Sequence, residues 1–117
     1  MSDVKLVKTF SESFPAAQAV RLEEMISVSE DAVVSRTLAK GEAGTLTLFA
    51  FDAGQELSEH TAPFDAFVQV LDGHLDLTIG GDVVGVGAGA CALMPAGIPH
   101  AVQATVPSRW VLFMLRR

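Results

Sequence analysis

A chain of 117 residues, half of them hydrophobic, is large enough to bury one core and too short for two domains. No run approaches the roughly 18 consecutive apolar residues of a membrane-spanning helix, and a net charge of −6 with only 8 scattered basic residues argues against nucleic acid as a partner. The single cysteine forbids an internal disulfide, and Met1-Ser2-Asp3-Val4-Lys5 lacks the basic-then-apolar layout of a secretory signal, so a cytoplasmic location is expected, with no membrane partner.

The predicted elements begin with an irregular N-terminal segment. Within it, Phe14–Val20 could form a helical turn opened by Pro15, and Leu22–Ile26 is ambiguous between a short helix and a strand. From there the pattern is β. Ala32–Leu38 is β-branched and ends at Lys40-Gly41. Thr45–Phe51 alternates, with Leu46, Leu48 and Ala50 on one face and Thr47, Phe49 and Phe51 on the other. Asp52-Ala53-Gly54 breaks it. Ala66–Leu71 leads through Asp72-Gly73 into His74–Ile79, and Gly80-Gly81-Asp82 reads as a hairpin turn into Val83–Val86. Ala90–Met94 follows, then the rigid turn Pro95–Pro99, then His100–Val106 and Arg109–Leu115. Eight to ten short strands, turn-separated, predict an all-β, antiparallel jelly-roll barrel over residues 30–117, preceded by a short irregular arm over residues 1–29.

Two frames of glycine and proline carry a more specific signal. The first runs Gly54-Gln55-Glu56-Leu57-Ser58-Glu59-His60, then Ala62, Ala66 and Gly73; the second is Gly89, then Pro95-Ala96-Gly97-Ile98-Pro99-His100, then Ala104. Together they resemble the paired motifs of the cupin superfamily, in which Gly-x5-His-x-His is followed by Glu and Gly, and Gly-x5-Pro-x-Gly-x2-His by Asn. The resemblance implies a double-stranded β-helix. It also implies that alanine stands where the family places its second His (Ala62), its Glu (Ala66) and its Asn (Ala104).

In family members with the full set, three His and one carboxylate hold iron, manganese, nickel, zinc or copper. Here His60 and His100 are the two remaining candidate metal ligands for a divalent transition metal, whose identity the residues do not distinguish. They read equally as pocket histidines bonded to each other, to water or to backbone, with no cofactor. Alternation along the strands places Ala62 with His60; Ala66, Val68 and Val70 together; and Val102, Ala104 and Val106 with His100. The expected ligand-binding set is therefore His60, His100, Ala62, Ala66, Val68, Ala104 and Met94, with the alanines enlarging the cavity. Met114, Phe51, Phe113 and Trp110 could line it or simply pack the core. As a third ligand, Glu56 shares the parity of His60 if its segment is extended, Asp65 has the wrong parity without a bulge, and His74 reads as a solvated strand position. Cys91 is expected to be buried and inert.

The function expected on this basis is binding of a small molecule in the barrel interior. The alternatives are a metal-dependent oxygenase or isomerase working through His60 and His100, and a ligand-sensing regulatory partner. A homodimer is also expected, since open sandwiches need their edges covered, with Trp110–Leu115 and the N-terminal segment as candidate contacts.

Overall fold

The computed structural model describes residues 5–6 and 14–116; the rest of the expected N-terminal arm lies outside the described residues. Among the described residues the chain forms β1 (Lys5–Leu6), β2 (Val33–Gly41), β3 (Gly44–Phe51), β4 (Glu56–His60), β5 (Phe64–Asp72), β6 (His74–Ile79), β7 (Asp82–Gly87), β8 (Cys91–Met94), β9 (His100–Ala104) and β10 (Ser108–Arg116). They build a six-stranded sheet in the order β1-β2-β3-β10-β5-β8 and a four-stranded sheet in the order β4-β9-β6-β7. This is the predicted jelly roll. Its strand pairs are antiparallel except at one edge, where Lys5 and Leu6 lie parallel to Val34 and Ser35.

The alternation in β3 shows how the sheets are layered. Phe49 and Phe51 join the core between the sheets, while Leu46, Leu48 and Ala50 belong to a second cluster on the outer face. The inter-sheet core is built on Phe51, Val68, Val70, Leu75, Leu77 and Trp110, all fully buried. The outer cluster is closed by Leu22, Met25, Ile26 and Val28, so both faces of this sheet are covered where β2, β3 and β10 run side by side. Ile26 is 7% exposed, and sequestering a side chain of that size is worth about 2 kcal/mol.

Two arginines fasten that covering segment. Arg36 donates from Nη1 to the Met25 carbonyl at 2.7 Å, and Arg109 donates from Nη1 to the Glu23 carbonyl. The rest of the Arg109 fork, Nε and Nη2, grips the Asp72 carboxylate at 2.8 and 2.5 Å. Leu22–Glu24 resolves as a single 3-10 turn. Phe14–Val20 does not form the expected helical turn: it bends through Ala17, whose φ of 60° is left-handed. Among the described residues no helix is long and apolar enough to cross a membrane.

Gly73 joins the two sheets where β5 passes into β6. Its φ is 97°, and a Cβ there would lie 2.3 Å from Ser108 Oγ and 2.5 Å from the Pro107 carbonyl oxygen. The fully buried Ser108 accepts the His74 N–H at 3.0 Å and lies 2.7 Å from the Val106 carbonyl, to which it donates.

Three local expectations are corrected. Cys91 is exposed, because it pairs with Gln69 on the outward parity of β8, an edge strand. Val106 is 43% exposed: β9 ends at Ala104, so Val106 never joins the inner wall. The strand proposed for contact, β10, runs between β3 and β5 rather than along an edge, and Trp110 points into the core.

Candidate functional site

The two histidines meet because β4 is irregular. Glu56 stands opposite Gln103 and Leu57 opposite Val102, but His60 then stands opposite His100, three residues of β4 spanning two of β9. A regular ladder would have set Glu59 opposite His100. The extra residue in the bulge resets the parity, so that Leu57 and His60 both face the barrel interior while Glu56 lies on the outer face with exposed Gln103. The sharing of parity between Glu56 and His60 expected for an extended segment is thus overturned.

Three hydrogen bonds fix the backbone of the second motif, two of them tying it to the first. The Gly97 N–H donates to the Ala62 carbonyl at 2.9 Å, the Ala96 N–H to the Asp65 carboxylate at 3.0 Å, and the Gly80 N–H to the Pro99 carbonyl at 2.8 Å. The proline-bracketed turn therefore delivers His100 to a fixed position at the start of β9.

The ring centroids of His60 and His100 are 4.5 Å apart, with planes at 70°, edge to face. His60 lies 2.8 Å from the Ser58 carbonyl through Nδ1, and His100 lies 3.1 Å from the Ile98 carbonyl through Nδ1. A carbonyl only accepts, so each Nδ1 carries the proton and donates. In the neutral rings both Nε2 atoms are left as acceptors. His100 is 3% exposed, whereas His60 is exposed and marks the mouth. Burial holds the His100 imidazole below its ordinary value of 6.5; the Ile98 carbonyl opposes this and the neighbouring His60 adds to it.

Behind the pair lies a cavity of about 30 Å³. Ala62, Ala66 and Met94, expected from the sequence, line it with the histidines, whereas Val68 and Ala104 are buried in the surrounding core and do not. Trp110 and Met114 also line it; Phe51 packs in the core and Phe113 is exposed on the outer face of the sheet. Leu57, Val102 and Leu112 complete the wall. Leu112 was legible in the alternation with Trp110 and Met114, but Leu57 was hidden because its segment carried no strand pattern. The alanines have not opened a large chamber, since Trp110 and the two methionines fill the space.

These residues do not fit the metal set that the sequence resemblance implies. Glu56 faces outward, Asp65 binds the Ala96 N–H from the opposite face of β5, and His74 pairs with Asp76 at 3.1 Å on the outer face of β6. Gly85 makes room for that ring: a Cβ there would sit 3.2 Å from His74 Nε2. Among the described residues no three His, Cys, Asp or Glu side chains converge as metal ligands. Two imidazoles alone fall short of the three or four protein ligands of stable transition-metal sites.

Residues 47–114 match the Cupin domain family. The chain is 31% identical to a conserved protein of unknown function from Streptococcus pyogenes, over all of this chain and 96% of that one, with a TM-score of 0.85. It is 34% identical to a cupin 2 conserved barrel domain protein from Leptotrichia buccalis over 80% of its own length and 46% of the other's, with a TM-score of 0.78. A cupin superfamily protein from Desulfitobacterium hafniense, 22% identical, covers 88% of this chain and 94% of its own with a TM-score of 0.83, a likeness of fold alone. No curated protein sequence matches.

Proposed function

The chain belongs to the Cupin domain family, and from that membership we propose that it is a binding cupin, taking a small molecule into the barrel at the His60–His100 pair without the family's metal set. The observation that carries this reading is the meeting of two imidazoles at the mouth of a cavity whose remaining wall is apolar. A few polar groups converging in an apolar cleft are the usual composition of a small-molecule site.

The roles divide by chemistry. His60 and His100 orient the guest through their Nε2 acceptors, each ring held by a backbone carbonyl behind it. Leu57, Met94 and Met114 supply apolar contact. A cavity of about 30 Å³ holds roughly one or two water-sized groups. The guest therefore inserts a small head, and a larger body requires Met94, Met114 and Leu57 to change rotamer, which unbranched methionines do readily.

Binding is tested by following the methyl resonances of Met94 and Met114 and the ring resonances of His100 while a metabolite library is screened. Joint perturbation of all three by one compound, lost in the His60→Ala, His100→Ala double variant, is the expected result. Perturbations confined to exposed positions such as Phe67 or Val83 would overturn the reading.

A further inference from the structure

Resting on that reading, we infer that the guest is an uncharged small molecule whose inserted head is a hydroxyl group, which donates to one Nε2 of the histidine pair and accepts from the indole N–H of Trp110.

The residues of the cavity wall carry few polar atoms, and these differ in character. Trp110 is fully buried and lines the cavity, and its Nε1 has no acceptor among the described residues. Its ring packs against two others, stacked on Phe49 at 4.6 Å and edge to face with Phe51 at 5.3 Å, in a fully buried position that leaves it little room to turn. A buried donor without a partner is costly and is commonly completed by something bound. The two histidines offer the opposite character, since their protons are committed to Ser58 and Ile98 and their Nε2 atoms accept. The residues that line the cavity thus include one unpartnered buried donor and two acceptors.

A hydroxyl is the smallest group that satisfies both kinds at once. A carbonyl or carboxylate only accepts and leaves the imidazoles unfilled; an ammonium only donates and leaves the indole unfilled. Charge excludes the ions independently. Among the described residues no Lys, Arg, Asp or Glu lines the cavity, and the chain as a whole carries −6, so an anion finds no counter-charge there and a buried cation no carboxylate. Size agrees, because about 30 Å³ admits an oxygen-sized head and little more.

Trp110 is the sole tryptophan, so its indole N–H gives a single resonance in a ¹H–¹⁵N spectrum. The unmodified protein is titrated with phenol, fluorobenzene, benzoate and benzylammonium, four probes sharing one ring and differing in the head. Phenol should move the indole resonance downfield together with the Met94 and Met114 methyls, and bind at least tenfold more tightly than the other three. Fluorobenzene binding as well as phenol, or either ion binding more tightly, with those methyls still moving, overturns the hydroxyl assignment while the cavity remains a binding site. Methyl movement with a static indole resonance does the same, and leaves the Phe51 ring as the partner of Nε1. Four probes that all leave the cavity resonances unmoved overturn both the assignment and the binding reading beneath it.

Discussion

His60 and His100 are direct cross-strand partners, and the bulge in β4 is what makes them so. Each ring is braced from behind by the carbonyl two residues earlier in its own chain, Ser58 for one and Ile98 for the other. The two halves of the site thus repeat one device on neighbouring strands. The consequence is a pair of acceptors side by side, one buried and one open to solvent, in an arrangement that protonation of the buried ring would disrupt.

That arrangement makes stability pH-dependent with a definite sign. Burial lowers the folded value of His100 from 6.5, so the unfolded chain takes up its proton first as pH falls. The contribution of neutral His100 is complete above pH 6.5 and is lost progressively as pH drops through the lower folded value. Urea midpoints measured from about pH 8 to about pH 5 should decline on the acid side, and His100→Gln should flatten that decline. An unchanged slope in the variant would assign the effect to other groups.

Gly73 predicts a large effect from a small substitution. Gly73→Ala must place a methyl where Ser108 Oγ and the Pro107 carbonyl already stand, at a φ of 97° that alanine also resists. Destabilisation on the order of 3 kcal/mol is expected from chemical denaturation. Gly81→Ala is the control: its φ of 92° is similarly left-handed, but a Cβ there meets nothing within 4 Å, so the strain acts without the collision. Equal losses in the two variants would remove the steric argument.

Cys91 separates the two faces of β8. It shares the outward face with Leu93, opposite Gln69 and Phe67, while Ala92 and Met94 turn inward. A thiol reagent should therefore modify Cys91 stoichiometrically in the native protein, without denaturant. Modification that needed unfolding would place the thiol inside. Its apolar neighbours Ala90, Ala92 and Leu93 made it look buried in the sequence, because hydrophobicity alone does not say which parity of an edge strand faces the core.

The same limit runs through the site. The glycine and proline frames were legible because a left-handed turn at Gly73 and a rigid bend at Pro95–Pro99 leave few residue choices, and the alternation of β3 was legible because both of its faces are buried. The bulge in β4 was not, since Glu56–His60 is mostly exposed and polar and carries no periodicity from which a parity reset could be read. Cavity size was also beyond reach. Ala62 and Ala66 suggested room, but Trp110 and the methionines that occupy it come from strands distant in sequence, and only their convergence sets the volume.

Ala62 and Ala66 provide the sharpest test of why the described residues hold no group of three metal-ligating side chains. Both line the same cavity as His60 and His100, at the positions where the cupin motifs carry a histidine and a glutamate. The four positions converge, but alanine supplies no donor at two of them. The native protein, purified untagged and without chelator, should carry divalent metal only at background by mass spectrometry. The Ala62→His, Ala66→Glu variant should hold close to one equivalent of added nickel or cobalt. Ala66 is 3% exposed, so a carboxylate there costs several kcal/mol when unpaired, and the metal-free variant should melt below the native protein and recover when metal is added. Near-stoichiometric metal in the native protein, lost in the His60→Ala, His100→Ala double variant, would instead reveal a further ligand and overturn the metal-free reading.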